Sequence, residues 1–221
     1  MLKVYFKSIE KFPDAILAFC YMVYVTLVIA SIVLFNQMIE FRLLNMTIDI
    51  SGSIIPYVFL YPISFIVLRI YGYKTVNQMI LCMILASLVF TSMCFIITIL
   101  PTNSTDLNPN GLRYILHSSF KMYLGGFIAL PAGIYASFLT LSFLDYIGLN
   151  FGAISLTIAT IIGEIVNTII VFPIGFHGVY NLSIIFNNII IDALIFKAIA
   201  GTILAIFTIF TIKLIVNHHT K

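Results

Sequence analysis

The sequence predicts an all-α, polytopic membrane protein, with six transmembrane helices in one bundle, and three observations lead there. Of 221 residues, 62% are hydrophobic and only 9% are charged, against about 25% charged in a soluble domain. The mean hydropathy is +1.14. The apolar runs are long and continuous, whereas a transmembrane barrel needs segments of about ten residues with strict alternation. No polar stretch is long enough to build a water-facing core, so residues 1–221 read as a single integral membrane domain.

The first span is expected over residues 15–35. Its basic start followed by apolar residues is like a signal peptide. However, the run is about 20 residues long and lacks an A-x-A-like cleavage site, so it reads as a retained helix. The second is expected over 48–68, after the polar patch "NMTIDISGS", and "RIYGYK", Arg69–Lys74, reads as a tight turn. The third, over 76–100, stops at Pro101, and "PTNSTDLNPNG" is a long loop rich in turn formers. The fourth is expected over 123–144, followed by the short turn "DYIGLN". The fifth is expected over 153–172 and ended by Pro173. One helix from 184 to 216 would be roughly 50 Å long, more than a bilayer core of about 30 Å. A surface or kinked segment with Asn187, Asn188 and Asp192 is therefore expected before a sixth span over 193–216.

Basic residues set the orientation. One side collects Lys3, Lys7, Lys11, Arg69, Lys74, Lys213 and Lys221; the other has Arg42, Arg113 and Lys121. Both termini are expected to be cytoplasmic.

Several functions lose support. The formal charge of +3 is too small and scattered for nucleic acid. No G-x-x-x-x-G-K-[ST] is present to bind ATP, and neither H-E-x-x-H nor G-x-S-x-G to hydrolyse a substrate. His117, His177, His218 and His219 show no metal-ligand spacing within a span. Neither an enzyme nor a cofactor or metal site is expected. Cys20, Cys82 and Cys94 read as buried small hydrophobes. The last two are roughly 18 Å apart along one helix, too far to bridge.

The strongest signal lies in "TIIGEIVNTIIVFPIGF". Helical spacing places Thr157, Thr160, Glu164, Asn167 and Thr168 on one stripe of the fifth span. Lipid satisfies neither a carboxylate nor a carboxamide, so the stripe must point inward. The threonines alone suit helix–helix packing, whereas an intramembrane acid marks a pathway. Lys197 is either a lysine snorkelling toward the interface or a cation lining the same cavity and paired with Glu164. In "SGSIIPYVFLYPISF", Pro56 and Pro62 bend or break the second span. Near that break Tyr57, Phe59, Tyr61 and Phe65 form either a stacking wall or ordinary packing, with Ser64 beside them. In "GGFIALPAGIYAS", Gly126, Ala129, Gly133 and Ser137 fall close to one stripe that lets a neighbouring helix approach.

Two of these stretches resemble the queuosine-precursor transporters, a vitamin-uptake-transporter-like family of six-span bacterial inner-membrane proteins. They are "YPISFIVLRIYGYK", Tyr61–Lys74, and "IGEIVNTIIVFPIGFHG", Ile162–Gly178. Lys197 sits where that family places a lysine in its last helix. Where the family carries acids, this chain has Phe65, Arg69 and Asn167, and Ser155 stands in place of an arginine. The resemblance implies import of deazapurine precursors of queuosine across the bacterial inner membrane. A guanine-like edge offers two adjacent N–H donors that one carboxylate can accept. Substrate binding is then expected at Glu164, Asn167, Thr160, Thr168, Lys197, Tyr57, Tyr61, Ser64 and Phe65. The expected partners are a small heterocycle and membrane lipid, with a homo-oligomer or a separate ATPase as further candidates. The rival readings are a capture subunit for another vitamin working with that ATPase, and a non-transporting membrane scaffold.

Overall fold

The computed structural model describes residues 14–35, 37–43, 46–99, 109–149, 151–178 and 180–219, with side chains described for 14–35, 37–40, 48–99, 120–149, 151–178 and 180–216. Lys3, Lys7, Lys11, Lys221 and most of the loop expected after Pro101 lie outside the described residues, as do the side chains of Arg42, Arg113, His117, His218 and His219.

Among the described residues, six helical segments are long and apolar enough to cross a membrane: Asp14–Leu34, Ile54–Tyr71, Tyr73–Ile99, Phe120–Tyr146, Ala153–Gly175 and Leu182–Val216. The protein is a multi-pass, all-α membrane protein. In chain order the helices are α1 (Asp14–Leu34), α2 (Ile54–Tyr57), α3 (Leu60–Tyr71), α4 (Tyr73–Ile99), α5 (Pro109–Tyr146), α6 (Ala153–Gly175), α7 (Leu182–Ile184) and α8 (Ile190–His219). Exposed Phe19, Met22, Leu81, Leu85, Phe207 and Phe210 form part of the lipid-facing surface, and Tyr24, Phe35, Tyr61, Phe65, Phe172 and Phe176 fill the interior. Cys82 is exposed and Cys20 half-buried, so only Cys94 is the buried thiol expected of all three.

The second span starts later than expected. Residues 48–51 belong to an antiparallel hairpin of β1 (Met38–Leu43) and β2 (Met46–Ser51), paired from Met38 opposite Ser51 to Leu43 opposite Met46. The cause is a period of two: Ile48 and Ile50 are buried while Asp49 between them is exposed. The hairpin is tied to the end of α1 by Gly52 N–H to the Gln37 carbonyl at 2.6 Å and by the Ser51 hydroxyl to the Phe35 carbonyl at 2.5 Å.

The second span is broken, as its prolines require. Pro62 has no N–H to give the Val58 carbonyl, and the chain leaves regular helix at Val58–Phe59, between α2 and α3. Gly72 then turns α3 into α4 with φ 84°, a backbone conformation that favours glycine. Pro173 does not end the fifth span, because α6 continues through it to Gly175. Of the surface or kinked segment expected before the last span, the structure has irregular helix rather than a separate surface piece. A π-helical turn over Ile185–Ile189 absorbs the irregularity, exposes Asn187 and Asn188, and joins α7 to α8.

α5 and α6 pack most closely, at Gly133 and Gly163. A Cβ on either would lie 2.7 Å from the other's carbonyl oxygen, and both would collide with Tyr61, at its hydroxyl from Gly133 and at its ring from Gly163. Gly133 and buried Ser137 thus belong to the expected close-approach stripe. Gly126 does not: a Cβ there would meet nothing, while one on Gly125 would meet Val171 at 3.2 Å. This crossing seats the end of Tyr61 beside Asn167 at mid-bundle.

Candidate functional site

Glu164 is the middle residue of α6, about 16 Å from either end at helical rise. Of the stripe to which it belongs, Thr160, Glu164, Asn167 and Thr168 are buried and face the bundle, whereas Thr157 is only half-buried. Lys197, from the second turn of α8, meets it there. Its Nζ lies 2.7 Å from Glu164 Oε2 and donates to Thr168 Oγ1 at 3.0 Å. It also stands over the Tyr57 ring, 4.7 Å from the centroid. Two hydrogen bonds and one aromatic face account for the three directions of the ammonium group. Both side chains are almost completely buried. Lys197 is therefore the inward cation of the two sequence alternatives, not the snorkelling one.

The acid is only half satisfied. Glu164 Oε1 has no hydrogen-bond partner, nor do Asn167 Oδ1 and the hydroxyls of Tyr24 and Tyr61. Asn167 Nδ2 donates to the Tyr57 hydroxyl at 2.5 Å. Whichever way the carboxamide is turned, one polar end is bonded and the other free. Each unpartnered buried group costs about 1–3 kcal/mol. The four come from α1, α3 and α6 (Tyr24, Tyr61, and the pair Glu164 and Asn167), and Tyr57 and Tyr61 each lie within electrostatic reach of Glu164 and of Tyr24. Buried polar groups are normally bonded, so each of the four is an exception within the bundle.

Thr160, Ser64 and Phe65 are also buried in the bundle. Thr160 lies one turn below Glu164, bonds the Leu156 carbonyl at 2.8 Å, and packs its methyl where a Cβ on Gly201 would come within 3.0 Å. Ser64 bonds the Leu60 carbonyl at 2.8 Å. Phe65 packs between Tyr61 and Phe138, at centroid distances of 6.5 and 6.1 Å. Phe59 points away, exposed on the outside of the broken span. Tyr24 is a member that the sequence did not mark. It is one aromatic in an apolar run, and its neighbours along the helix, Val28 and Ile32, carry no polar signal.

Aromatic layers close the centre on two sides. On the hairpin side Phe35 stacks on Phe176 at 4.4 Å and meets Phe172 edge-on at 6.0 Å. On the opposite side Phe138 packs against Phe65 and Tyr73, each at 6.1 Å. A cavity of about 20 Å³ touches Tyr57 between Ser31, Ser87 and Gly126, room for one water. Among the described residues no group of three or more His, Cys, Asp or Glu could hold a metal ion.

The model of a protein family described as "putative vitamin uptake transporter" matches residues 51–212, which is most of the chain and includes all of the second to fifth spans and nearly all of the sixth. No curated protein and no solved structure matches the chain.

Proposed function

Since the chain belongs to the vitamin uptake transporter family, we propose that it imports a small planar nitrogen heterocycle, a deazapurine precursor of queuosine. The observation that carries this reading is the group of four unpartnered polar atoms beside the Glu164–Lys197 pair. Glu164 Oε1 and the free end of Asn167 accept N–H groups of the ring edge. The tyrosine hydroxyls, which donate as well as accept, meet a ring acceptor. Lys197 holds Glu164 in place and keeps the centre neutral overall, so an uncharged heterocycle binds without adding a buried charge. Tyr57 offers the nearest aromatic face, and Thr160, Thr168, Ser64 and Phe65 shape the surroundings.

Transport proceeds by alternating access around this fixed centre, with the broken second span supplying the flexible wall. Residues 1–221 act as one membrane domain, in a bacterial inner membrane, with both termini cytoplasmic as the basic residues favour. Membership in a transporter family points away from catalysis.

The test is uptake of labelled deazaguanine precursors by cells that lack both their own transporter and the biosynthetic route. Wild-type protein should restore uptake, and Glu164→Gln should reduce it at least about tenfold, the loss of one charge-assisted recognition contact. Unchanged uptake by the Glu164→Gln protein would remove the acid from the binding site.

A further inference from the structure

A polar hollow of about 430 Å³ opens at the hairpin end of the bundle, lined by Met38, Asp49, Tyr180, Asn187, Asn188 and Asp192, with Ile189 at its buried edge. Two residue stripes run from it to the charged pair. On the α6 side Phe172, Thr168 and Glu164 recur every four residues, and Phe176 and Tyr180 carry the line on past the end of the helix at Gly175. On the last span Ile189, Ala193 and Lys197 also recur every four residues, covering about 12 Å of helix. Between hollow and ammonium group the rings form an unbroken series. Tyr180 meets Phe176 at 5.5 Å, Phe176 meets Phe172 at 5.5 Å, and Lys197 Nζ lies 6.0 Å from the Phe172 ring. Phe35 lies against both phenylalanines, and all three are fully buried.

We propose that Phe35, Phe172 and Phe176 form the outer gate of the transport path, separating a polar mouth at the hairpin from the Glu164–Lys197 centre. This rests on the transport reading above and assigns the route by which its substrate enters. Phe35 is the moving part. It follows the last residue of α1, at the junction between that helix and the hairpin. The tip of its ring abuts Gly175, where a Cβ would collide with it. Its carbonyl is bonded by Ser51 of the hairpin, and the hairpin is fastened to the last span by Asp49 N–H to Asp192 Oδ2 at 3.2 Å. Displacing the hairpin therefore pulls on Phe35. The stacked Phe35–Phe176 pair opens most easily for a flat ring, which replaces one aromatic face with another. A lateral groove of about 250 Å³ between α6 and α8 also touches Glu164, lined otherwise by Ile161, Ile165, Leu194, Ile195 and Ala198. That way in leads through hydrocarbon, where a polar ring would lose its hydration, so the mouth is the better entrance.

Cysteine labelling tests this on the full chain with Cys20, Cys82 and Cys94 each replaced by Ala. Ala193→Cys places a thiol on the path below the rings, and a charged, membrane-impermeant methanethiosulfonate is applied from the hairpin side of membrane vesicles. Labelling should be slow with the gate intact. It should rise about tenfold or more with Phe176→Ala, and also with Phe35→Leu, which removes the ring but keeps apolar bulk. Phe210→Ala, which removes an exposed ring on the lipid-facing surface, should change the rate by no more than about twofold. A rate indifferent to both gate variants, or one raised equally by Phe210→Ala, would overturn the gate. Adding a deazaguanine precursor should slow labelling of the Phe176→Ala protein. If the gate variants accelerate labelling and no heterocycle protects, the gate stands and the substrate assignment falls. If uptake depends on Glu164 while labelling ignores the gate variants, the gate alone falls.

Discussion

α4 and α6 each bury a stripe of polar residues at helical spacing, but they treat those residues in opposite ways. In α4, Ser87 bonds the Met83 carbonyl and Thr91 bonds the Ser87 carbonyl, both at 2.8 Å, so each hydroxyl is satisfied one turn back in its own helix. In α6, Glu164 and Asn167 reach across to Lys197 and Tyr57 and still leave one oxygen each without a partner. A short hydroxyl can return its proton to its own backbone. A carboxylate needs donors, and the interior of a helix has no free N–H to offer it. Buried hydroxyls alone therefore indicate little, whereas an acid or amide in the same setting commits a helix to particular neighbours.

The contrast can be broken most severely at Lys197. Lys197→Met leaves Glu164 buried without its cation, and stability in detergent should fall by about 3–5 kcal/mol, read as a large drop in Tm. Combining it with Glu164→Gln should restore most of that stability while uptake stays absent, because no buried charge would then be left unpaired. A double variant no more stable than Lys197→Met would show that the pair is not the source of the loss.

Asn167→Ala comes next. It removes the bond to Tyr57 and should cost about 1–2 kcal/mol. Its larger effect should be on ligand affinity, which isothermal titration would read as at least about a tenfold weakening. An Asn167→Ala protein with native affinity would remove the amide from recognition.

Tyr24→Phe sharpens the comparison, because stability and function should move in opposite directions. The hydroxyl is buried and unpartnered, so deleting it should leave stability unchanged or raise it by about 1 kcal/mol. Ligand affinity should nevertheless fall. A drop in Tm together with unchanged affinity would make Tyr24 a packing residue.

Ser87→Ala should have the smallest effect, within about 0.5–1.5 kcal/mol in stability for one locally satisfied hydroxyl, with uptake unchanged. A marked loss of uptake there would place α4 at the binding centre and erase the difference between the two helices.

Much of this architecture was legible from patterning. A charge content too low to cover a soluble surface, and apolar runs of bilayer length, leave helices as the only spanning elements that satisfy their own backbone. Glu164 stood out because nothing else in its run is charged, and Lys197 pairing with it was one of two open alternatives. The hairpin was missed for a different reason. The alternation in Met46–Ser51 is short, and the apolar residues that continue beyond it made it look like the start of the second span. Pro173 misled in the same way: proline is a strong local signal, yet the neighbouring helices support α6 for two more residues.

Sequence alone determined the class of the molecule, its number of crossings and the helix that carries the acid, because hydropathy and helical period are properties of each segment by itself. Only the tertiary structure decided that Tyr24 is fully buried, that Phe35 stacks on Phe176 from beyond the end of α1, and that Gly133 and Gly163 bring α5 and α6 together. Those facts depend on which faces of separate helices meet, and a residue such as Tyr24 or Phe35 looks the same in sequence whether it faces lipid, core or a binding centre.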